Sequence, residues 1–128
     1  MSFDILLVDD SFTARAIMIK TLSMTGVPIA TIHQASNGKE GLSVIEKNRI
    51  NLIFLDMNMP IMGGEEMIHN MEKLNVLRDI RIIITSSEGQ TPRIKQLQKM
   101  GVCIYLQKPF TPEKIKEITD SLMGGKNG

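Results

Sequence analysis

Several residue types are scarce in this chain of 128 residues, and each scarcity excludes a class of protein. A single cysteine rules out a disulfide framework within the chain. The two histidines, His33 and His69, have no second histidine or cysteine at metal-ligand spacing, so a zinc site has no support. Fifteen basic and fourteen acidic side chains give a net charge of +1, without the basic surplus typical of nucleic-acid binding. We therefore expect no direct nucleic-acid partner.

Long apolar stretches are also missing, so we expect no membrane partner. The N-terminal segment MSFDILLVDD reaches paired aspartates after a four-residue apolar run, which is too short and too acidic for a secretory signal. Residence in the cytoplasm is the expected default. The composition, 42% hydrophobic and 23% charged, is that of an ordinary folded domain. We expect a single domain over residues 1–123, followed by a flexible tail over residues 124–128.

Five short apolar runs recur along the chain, and we interpret them as β-strands. They cover residues 5–8, 29–32, 52–55, 80–84 and 102–106. The first, third and fourth are almost purely apolar, as expected for parallel strands covered on both faces, while the second and fifth are mixed and suit less buried positions. Segments with helical spacing lie between the strands, and Thr91-Pro92 and Thr111-Pro112 mark the starts of two helices. The pattern predicts a (βα)5 α/β fold with a doubly wound parallel sheet, in which ligands bind beyond the carboxyl ends of the central strands.

Polar side chains follow four of the five predicted strands. They are Asp9 and Asp10 after the first, Asp56 after the third, Thr85, Ser86 and Ser87 after the fourth, and Lys108 after the fifth. Three carboxylates held close together repel one another, and they either keep a proton or recruit a cation. Oxygen ligands alone suit Mg²⁺ better than zinc. The set predicts phosphoryl transfer, with Asp56 as nucleophile, Mg²⁺ as cation and Lys108 against the phosphoryl oxygens.

Each of these residues also has an ordinary structural explanation. Asp9 and Asp10 could cap a helix, Asp56 could be a strand-to-turn residue, and Lys108 could be a solvated charge. Independent turn residues, however, need not include an acid, a hydroxyl and a base at one edge of one sheet. The combination favours the chemical interpretation.

Taken together, these motifs resemble the response-regulator receiver domains of the CheY-like kind. The resemblance covers essentially the whole chain. It rests on Leu7-Val8-Asp9-Asp10-Ser11 with Arg15, on Asn37-Gly38, on Leu55-Asp56-Met57-Asn58-Met59-Pro60 with Gly63, on the hydroxyl run after the fourth strand, and on Lys108-Pro109-Phe110. It implies a flavodoxin-like sheet with strand order 2-1-3-4-5, of which CheY is itself an example.

The resemblance implies that Asp56 accepts a phosphoryl group from a histidine kinase or a small acyl phosphate. Asp9, Asp10, Asp56 and the backbone carbonyl of Asn58 would then hold Mg²⁺. Lys108 would pair with Asp56 and afterwards with the phosphoryl group, and its bond to the following proline would be cis. The chain would catalyse only its own phosphorylation and dephosphorylation, and so would not be an enzyme acting on other substrates.

The resemblance also implies a switch. Ser86 matches the family's switch hydroxyl, being thirty residues after Asp56 and twenty-two before Lys108. Thr85 would require a shift of one residue, and the choice between the two hydroxyls stays open. Tyr105 resembles the aromatic switch residue, although a plain half-buried strand tyrosine is the alternative.

Output would then appear on the face formed by the fourth helix, the fifth strand and the fifth helix, which would bind an unidentified target protein. Candidate exposed positions on that face are Arg93, Lys95, Tyr105, Lys114 and Lys116.

Two flanking residues, Asn58 and Glu88, resemble the pair that tunes the access of hydrolytic water in fast chemotaxis regulators. The pair suggests rapid dephosphorylation and a role in chemotaxis or motility, with a phosphatase as a further partner.

Three other functions compete with that of a receiver domain. A phosphohydrolase of haloacid-dehalogenase type would need an Asp-x-Asp nucleophile motif after the first strand, and a flavodoxin-type module would need a phosphate loop where two carboxylates stand. An interaction domain that has lost phosphorylation would have little reason to keep the acids and Lys108.

Overall fold

The computed structural model describes residues 2–100 and 103–124 and contains a five-stranded parallel sheet. The strands are β1 (Phe3–Val8), β2 (Ile29–Ala35), β3 (Leu52–Asp56), β4 (Arg81–Ser86) and β5 (Cys103–Gln107). The helices are α1 (Phe12–Ser23), α2 (Gly38–Lys47), α3 (Gly64–Lys73), α4 (Pro92–Gln98) and α5 (Pro112–Gly124). The strand order is β2-β1-β3-β4-β5, which confirms the predicted flavodoxin-like (βα)5 fold.

Alternation along the strands sends side chains to two separate cores, one on each face of the sheet. Leu7 and Phe54 lie on the face that α1 and α5 cover, with Met18, Leu22 and Ile115 from those helices. The opposite face is filled by side chains of β1, β3 and β4 together with α3 and α4, among them Leu6, Val8, Leu55, Ile84, Met67 and Leu97. Every residue of β3 is buried, whereas β2 at the edge is mostly exposed or half-buried, in agreement with the mixed composition of the second run.

Side-chain caps fix where four of the helices begin. The Oγ of Ser11 accepts a hydrogen bond from the Ala14 amide at 3.0 Å, and the Oδ1 of Asn37 accepts one from the Glu40 amide at 2.9 Å. The hydroxyls of Thr91 and Thr111 act in the same way at the starts of α4 and α5. These bonds satisfy amides that a helix leaves without partners in its first turn, and so each helix starts directly after its capping residue.

The sequence placed the end of β4 too early. Thr85 and Ser86 still have partners in the ladder, Thr85 opposite Asp56 and Ser86 opposite Gln107, so the strand continues through both hydroxyl residues. A short 3₁₀ turn over Leu77–Asp79 was also not predicted.

Some predictions at the C-terminal end of the chain fall partly outside the described residues. Residues 101 and 102 lie outside them, the second being the predicted start of the fifth strand, and so do residues 125–128 of the predicted tail. Gly124, predicted as the first residue of that tail, is the last residue of α5. Among the helices of the described residues, none combines the length and apolar character that crossing a membrane requires.

Ile61, in the loop between β3 and α3, has an unfavourable backbone conformation. Its φ is 69°, and 78% of the residue is exposed. The Met62 amide donates to the Pro60 carbonyl at 2.7 Å, which closes a γ-turn around Ile61. A β-branched side chain rarely adopts positive φ, because its Cβ then crowds the backbone. The loop is therefore locally strained.

Replacement of Ile61 by glycine should raise the free energy of unfolding by about 1 kcal/mol, because glycine has no Cβ to crowd the backbone at positive φ. Little buried apolar surface is lost, since the isoleucine is exposed. Leu74→Gly is the matched control, at a residue that is 55% exposed but has an ordinary φ of −86°. Urea unfolding of the three proteins measures the effect. A gain in both variants, or in neither, would contradict the strain.

Candidate functional site

Three strand ends bring the predicted acidic residues and the predicted lysine together. Asp9 follows β1 directly, Asp56 is the last residue of β3, and Lys108 follows β5 directly. Carboxylate oxygens of Asp9, Asp10 and Asp56 lie within 4.8 Å of one another. The Nζ of Lys108 lies 3.0 Å from Oδ2 of Asp9 and 3.5 Å from Oδ1 of Asp56. Lys108 thus pairs with both acids and approaches Asp9 more closely than Asp56, the partner that the sequence suggested.

Asp9 is held at four points. Its amide donates to the Ala35 carbonyl at 3.1 Å, and its Oδ1 accepts from the Ser11 amide at 2.9 Å. Its Oδ2 accepts from Lys108, and its carbonyl accepts from Nη1 of Arg15 at 2.6 Å. Arg15 belonged to the motif that carried the family resemblance, but no role was predicted for it. Its contact places it beneath the acidic pair, where it fixes the backbone of Asp9.

Asp56 is buried at the bottom of the site, with 8% of the residue exposed. Burial raises the pKa of its carboxyl, the negative charges of Asp9 and Asp10 raise it further, and Lys108 opposes them by charge and hydrogen bonding. Burial alone would lower the pKa of Lys108, but the hydrogen bond to Asp9 and the charges of both carboxylates raise it overall. Lys108 is therefore a firmly protonated cation beside an acid that resists ionisation.

The raised pKa of Asp56 predicts how the free energy of unfolding depends on pH in Mg²⁺-free buffer. The folded chain holds the Asp56 proton more tightly than the unfolded chain, so stability falls as the pH rises through the raised pKa. The Asp56→Asn variant has no proton to lose there. We expect it to be more stable than the parent chain at neutral pH, by a margin that shrinks on acidification. Urea unfolding at neutral and acidic pH measures the margin, and a margin independent of pH would contradict the assignment.

The acidic cluster has the donor set that Mg²⁺ requires. Among the residues that the structure describes, Asp9, Asp10 and Asp56 are the group of three or more acidic, histidine or cysteine residues whose ligand atoms lie close enough for one ion. All the donors are oxygens, which hard cations prefer. Asn58, whose carbonyl was the further predicted ligand, lies two residues beyond the end of β3. The residues present therefore fit the predicted ion.

Glu88 joins the residues predicted to form the switch and to tune dephosphorylation. Its amide donates to Oγ of Ser86 at 3.1 Å, and its carbonyl accepts a hydrogen bond from the hydroxyl of Tyr105. Its side chain accepts from Nδ2 of Asn58 at 3.4 Å. Burial and the charge of Glu88 raise the pKa of Tyr105. Ser86, Tyr105 and Asn58, from three different segments of the chain, thus all contact Glu88.

Strand alternation separates the two candidate switch hydroxyls. Tyr105 lies opposite Ile84 in the sheet, so Ser86, two residues after Ile84, faces the same side as Tyr105. Thr85 lies opposite Asp56 and faces the other side, toward α1. Both residues are buried. The connection to Tyr105 through Glu88 favours Ser86, the residue that the motif spacing also favoured.

Most of the predicted output positions are at the surface. Arg93, Lys95, Lys114 and Lys116 are exposed, and Tyr105 is half-buried. The Nε of Arg93 lies 3.0 Å from Oε1 of Glu65, so α4 is tied to α3 by an ion pair.

Comparison with known proteins matches this geometry to one family. A family model described as the response regulator receiver domain matches residues 5–120. The chain belongs to this family. Receiver domains are modules of two-component signalling that generally take phosphoryl groups from histidine kinases, depend on Mg²⁺ and bind targets.

Individual relatives cover this receiver domain almost completely. It is 33% identical over 125 residues to the chemotaxis protein CheY homolog of Campylobacter jejuni, covering 97% of this chain and 95% of that protein. It is 30% identical over 117 residues to sporulation initiation phosphotransferase F of Bacillus subtilis, covering 91% and 90%. The solved structure of chemotaxis protein CheY4 of Vibrio cholerae superimposes with a TM-score of 0.79 at 30% identity, covering 94% and 98%. The receiver domain is therefore CheY-like in sequence and in fold.

The cis peptide bond predicted between Lys108 and Pro109 is present.

Proposed function

We propose that this receiver domain is a phosphorylation-activated switch of a two-component system. Asp56 accepts a phosphoryl group from a histidine kinase or a small acyl phosphate, and the phosphorylated domain binds a target protein. The observation that carries the proposal is the convergence of Asp9, Asp10 and Lys108 on a buried carboxylate at a strand end. We further propose that the protein acts in the cytoplasm.

In the proposed reaction, a carboxylate oxygen of Asp56 attacks the phosphorus atom of the donor. A bond forms between that oxygen and phosphorus, and the bond from phosphorus to the donor's leaving atom breaks, with the electron pair going to the leaving atom. The product is an acyl phosphate. The ammonium group of Lys108, 3.5 Å from the Asp56 carboxylate, is placed to bind a phosphoryl oxygen as negative charge redistributes.

Asp9, Asp10, Asp56 and the carbonyl of Asn58 would hold Mg²⁺, which when bound supplies positive charge against the carboxylates and the incoming phosphoryl group. Asp9 has a second task, because its Oδ2 holds Lys108 at 3.0 Å and so keeps the lysine beside Asp56. Arg15 fixes the backbone of Asp9 from the other side. These contacts preorganise the charges around the nucleophile before a donor arrives.

The proposed catalysis is confined to the chain's own Asp56, so the protein is not an enzyme acting on external substrates. A phosphohydrolase would instead turn over repeatedly. Multiple-turnover hydrolysis of p-nitrophenyl phosphate in the presence of Mg²⁺ would contradict the proposal and favour the enzyme.

Phosphorylation is read out through Ser86 and Tyr105 in this proposal. A phosphoryl group on Asp56 offers the Ser86 hydroxyl a strong acceptor, and Ser86 is connected through Glu88 to Tyr105. Contacts that only one arrangement can make shift the population toward that arrangement. The output face, made of α4, β5 and α5, carries the change to the target protein.

Asn58 and Glu88 bear on how long the phosphoryl group would stay on Asp56. Their side chains lie 3.4 Å apart at the mouth of the site, where they would control the access of hydrolytic water. We propose rapid loss of the phosphoryl group and a role in chemotaxis or motility, with a phosphatase as a further partner. Several relatives of this chain are chemotaxis proteins, which supports such a role. An acyl phosphate that persists for many hours would contradict rapid loss.

One experiment tests the acceptor. The protein is incubated with Mg²⁺ and acetyl phosphate, and its intact mass is measured. We expect one added phosphoryl group in the parent chain and none in Asp56→Asn. Asp79→Asn, an exposed aspartate just before the opposite end of β4, is the matched control and should be modified like the parent. Equal modification of Asp56→Asn, or no uptake by the parent even with a kinase, would overturn the assignment.

A further inference from the structure

A mainly apolar cavity of about 240 Å³, partly open to solvent, lies between the sheet and α1, directly behind the acidic site. Its walls are Leu7 and Phe54 from the sheet, Ala14 and Met18 from α1, and Phe110 after β5. Protein interiors are packed so tightly that voids larger than a water molecule are few. An enclosed apolar cavity of about 150 Å³ is already large enough to bind benzene. The cavity is thus large enough for a single aromatic ring with a small substituent.

One polar group inside this cavity has no partner. Thr85 is 3% exposed and lines the cavity, and no hydrogen bond joins its hydroxyl to another of the described residues. Among those residues, no fully buried side-chain nitrogen or oxygen lacks a partner, so the Thr85 oxygen must be accessible, and the space it reaches is the cavity. A ligand that covers this oxygen must give it a hydrogen bond or leave it buried without one, which costs free energy, so a ligand with a hydroxyl group is favoured.

Charged groups of both signs, Asp9, Arg15 and Lys108, stand at one end of the cavity. Arg15 donates to the Asp9 carbonyl at 2.6 Å and to Oε1 of Gln34 at 3.0 Å. Lys108 is paired with the carboxylates of Asp9 and Asp56. The Asp9 carboxylate at this end would repel an anion, and Arg15 and Lys108 would repel a cation, so the cavity favours an uncharged molecule.

We propose that this cavity is a binding site for a small uncharged molecule made of an aromatic ring with one hydroxyl group. The ring lies among Leu7, Phe54, Met18 and Phe110, and the hydroxyl exchanges a hydrogen bond with Thr85. Asp9 and Lys108 close one end of the cavity, so the occupant touches the side chains that surround Asp56. The site is separate from the proposed phosphorylation and stands whether or not Asp56 is phosphorylated.

Phenol and benzene are the probes, titrated into the full chain and followed by amide chemical shifts. We expect saturable shifts at residues 7, 14, 18, 54 and 110 with both probes. Ala14→Leu fills the cavity and should abolish them. Ala16→Leu, on the exposed side of the same helix, is the matched control and should bind like the parent. Absence of saturable shifts in the parent, or unchanged binding in a folded Ala14→Leu variant, would overturn the site.

The Thr85→Val variant tests the recognition of the hydroxyl group. Loss of one hydrogen bond should weaken phenol binding by about threefold to tenfold and leave benzene binding unchanged. Equal weakening of both probes, or of neither, would overturn the assigned role of Thr85. Benzene binding by Thr85→Val shows at the same time that the variant keeps its fold.

Discussion

Replacement of Lys108 by alanine should slow the uptake of a phosphoryl group from acetyl phosphate by about 100-fold to 1000-fold, the usual loss when a preorganised charge-stabilising donor is removed. Lys108 lies within 3.5 Å of the Asp56 carboxylate and is the cation that the structure places closest to it. Without Lys108, the pKa of Asp56 should rise further, because the lysine is what opposes the effect of burial. The rate of phosphorylation is measured by quenching the reaction at successive times and recording the intact mass.

Binding of Mg²⁺ distinguishes a chemical effect of this substitution from a damaged fold. The Lys108→Ala variant should bind Mg²⁺ at least as tightly as the parent chain, because a cation that competes for the Asp9 and Asp56 carboxylates has been removed. Calorimetric titration measures this affinity. Lys73→Ala, an exposed lysine in the last turn of α3, is the matched control and should change neither quantity. An unchanged phosphorylation rate in Lys108→Ala would remove the lysine from the mechanism.

Replacement of Gly64 by alanine should lower the free energy of unfolding by about 1 to 3 kcal/mol, the range seen when a tightly packed position is enlarged. A Cβ at Gly64 would lie 2.7 Å from the Asp56 carbonyl oxygen and 3.2 Å from Cα of Met57. Both neighbours are backbone atoms, so the start of α3 must move away from the end of β3. The Gly64 amide donates to the Met57 carbonyl at 3.2 Å, and this hydrogen bond should be lost with the movement.

Gly89 is the matched control for this substitution. It lies in the loop between β4 and α4, and a Cβ there would meet nothing within 4 Å. Gly89→Ala should therefore change the free energy of unfolding by no more than about 0.5 kcal/mol. Urea unfolding of both variants makes the comparison. Equal effects at the two glycines would contradict the tight contact between α3 and the strand that ends in Asp56.

The strand pattern could be predicted from the sequence because the evidence for it is local, whereas the strand order 2-1-3-4-5 was implied by the resemblance to receiver domains. Apolar runs separated by capped helices allow few arrangements, and right-handed crossovers exclude most of those. The position of Asp56 at a strand exit follows from that pattern alone. The end of β4 could not be predicted in this way, because Thr85 and Ser86 continue the strand only through their partners on β3 and β5.

Contacts within the site depend on distances that no local pattern contains. The sequence paired Lys108 with Asp56, but the packing of the β5 exit against β1 brings its ammonium closer to Asp9. The contact of Arg15 with the Asp9 carbonyl could not be predicted for the same reason, and neither could the contacts of three residues with Glu88. The cavity behind the site could not be predicted from the sequence for a different reason. An unfilled volume depends on how α1 packs over the sheet, and the spacing of apolar residues does not determine that packing.

Chemical mapping of the modified residue tests the central claim most directly. After incubation with Mg²⁺ and acetyl phosphate, sodium borohydride reduces an aspartyl phosphate to homoserine, and tandem mass spectrometry locates the changed residue. We predict homoserine at position 56 and unmodified aspartate at positions 9 and 10. Homoserine at position 9 or 10, or a phosphorylated chain with no homoserine at position 56, would contradict Asp56 as the acceptor.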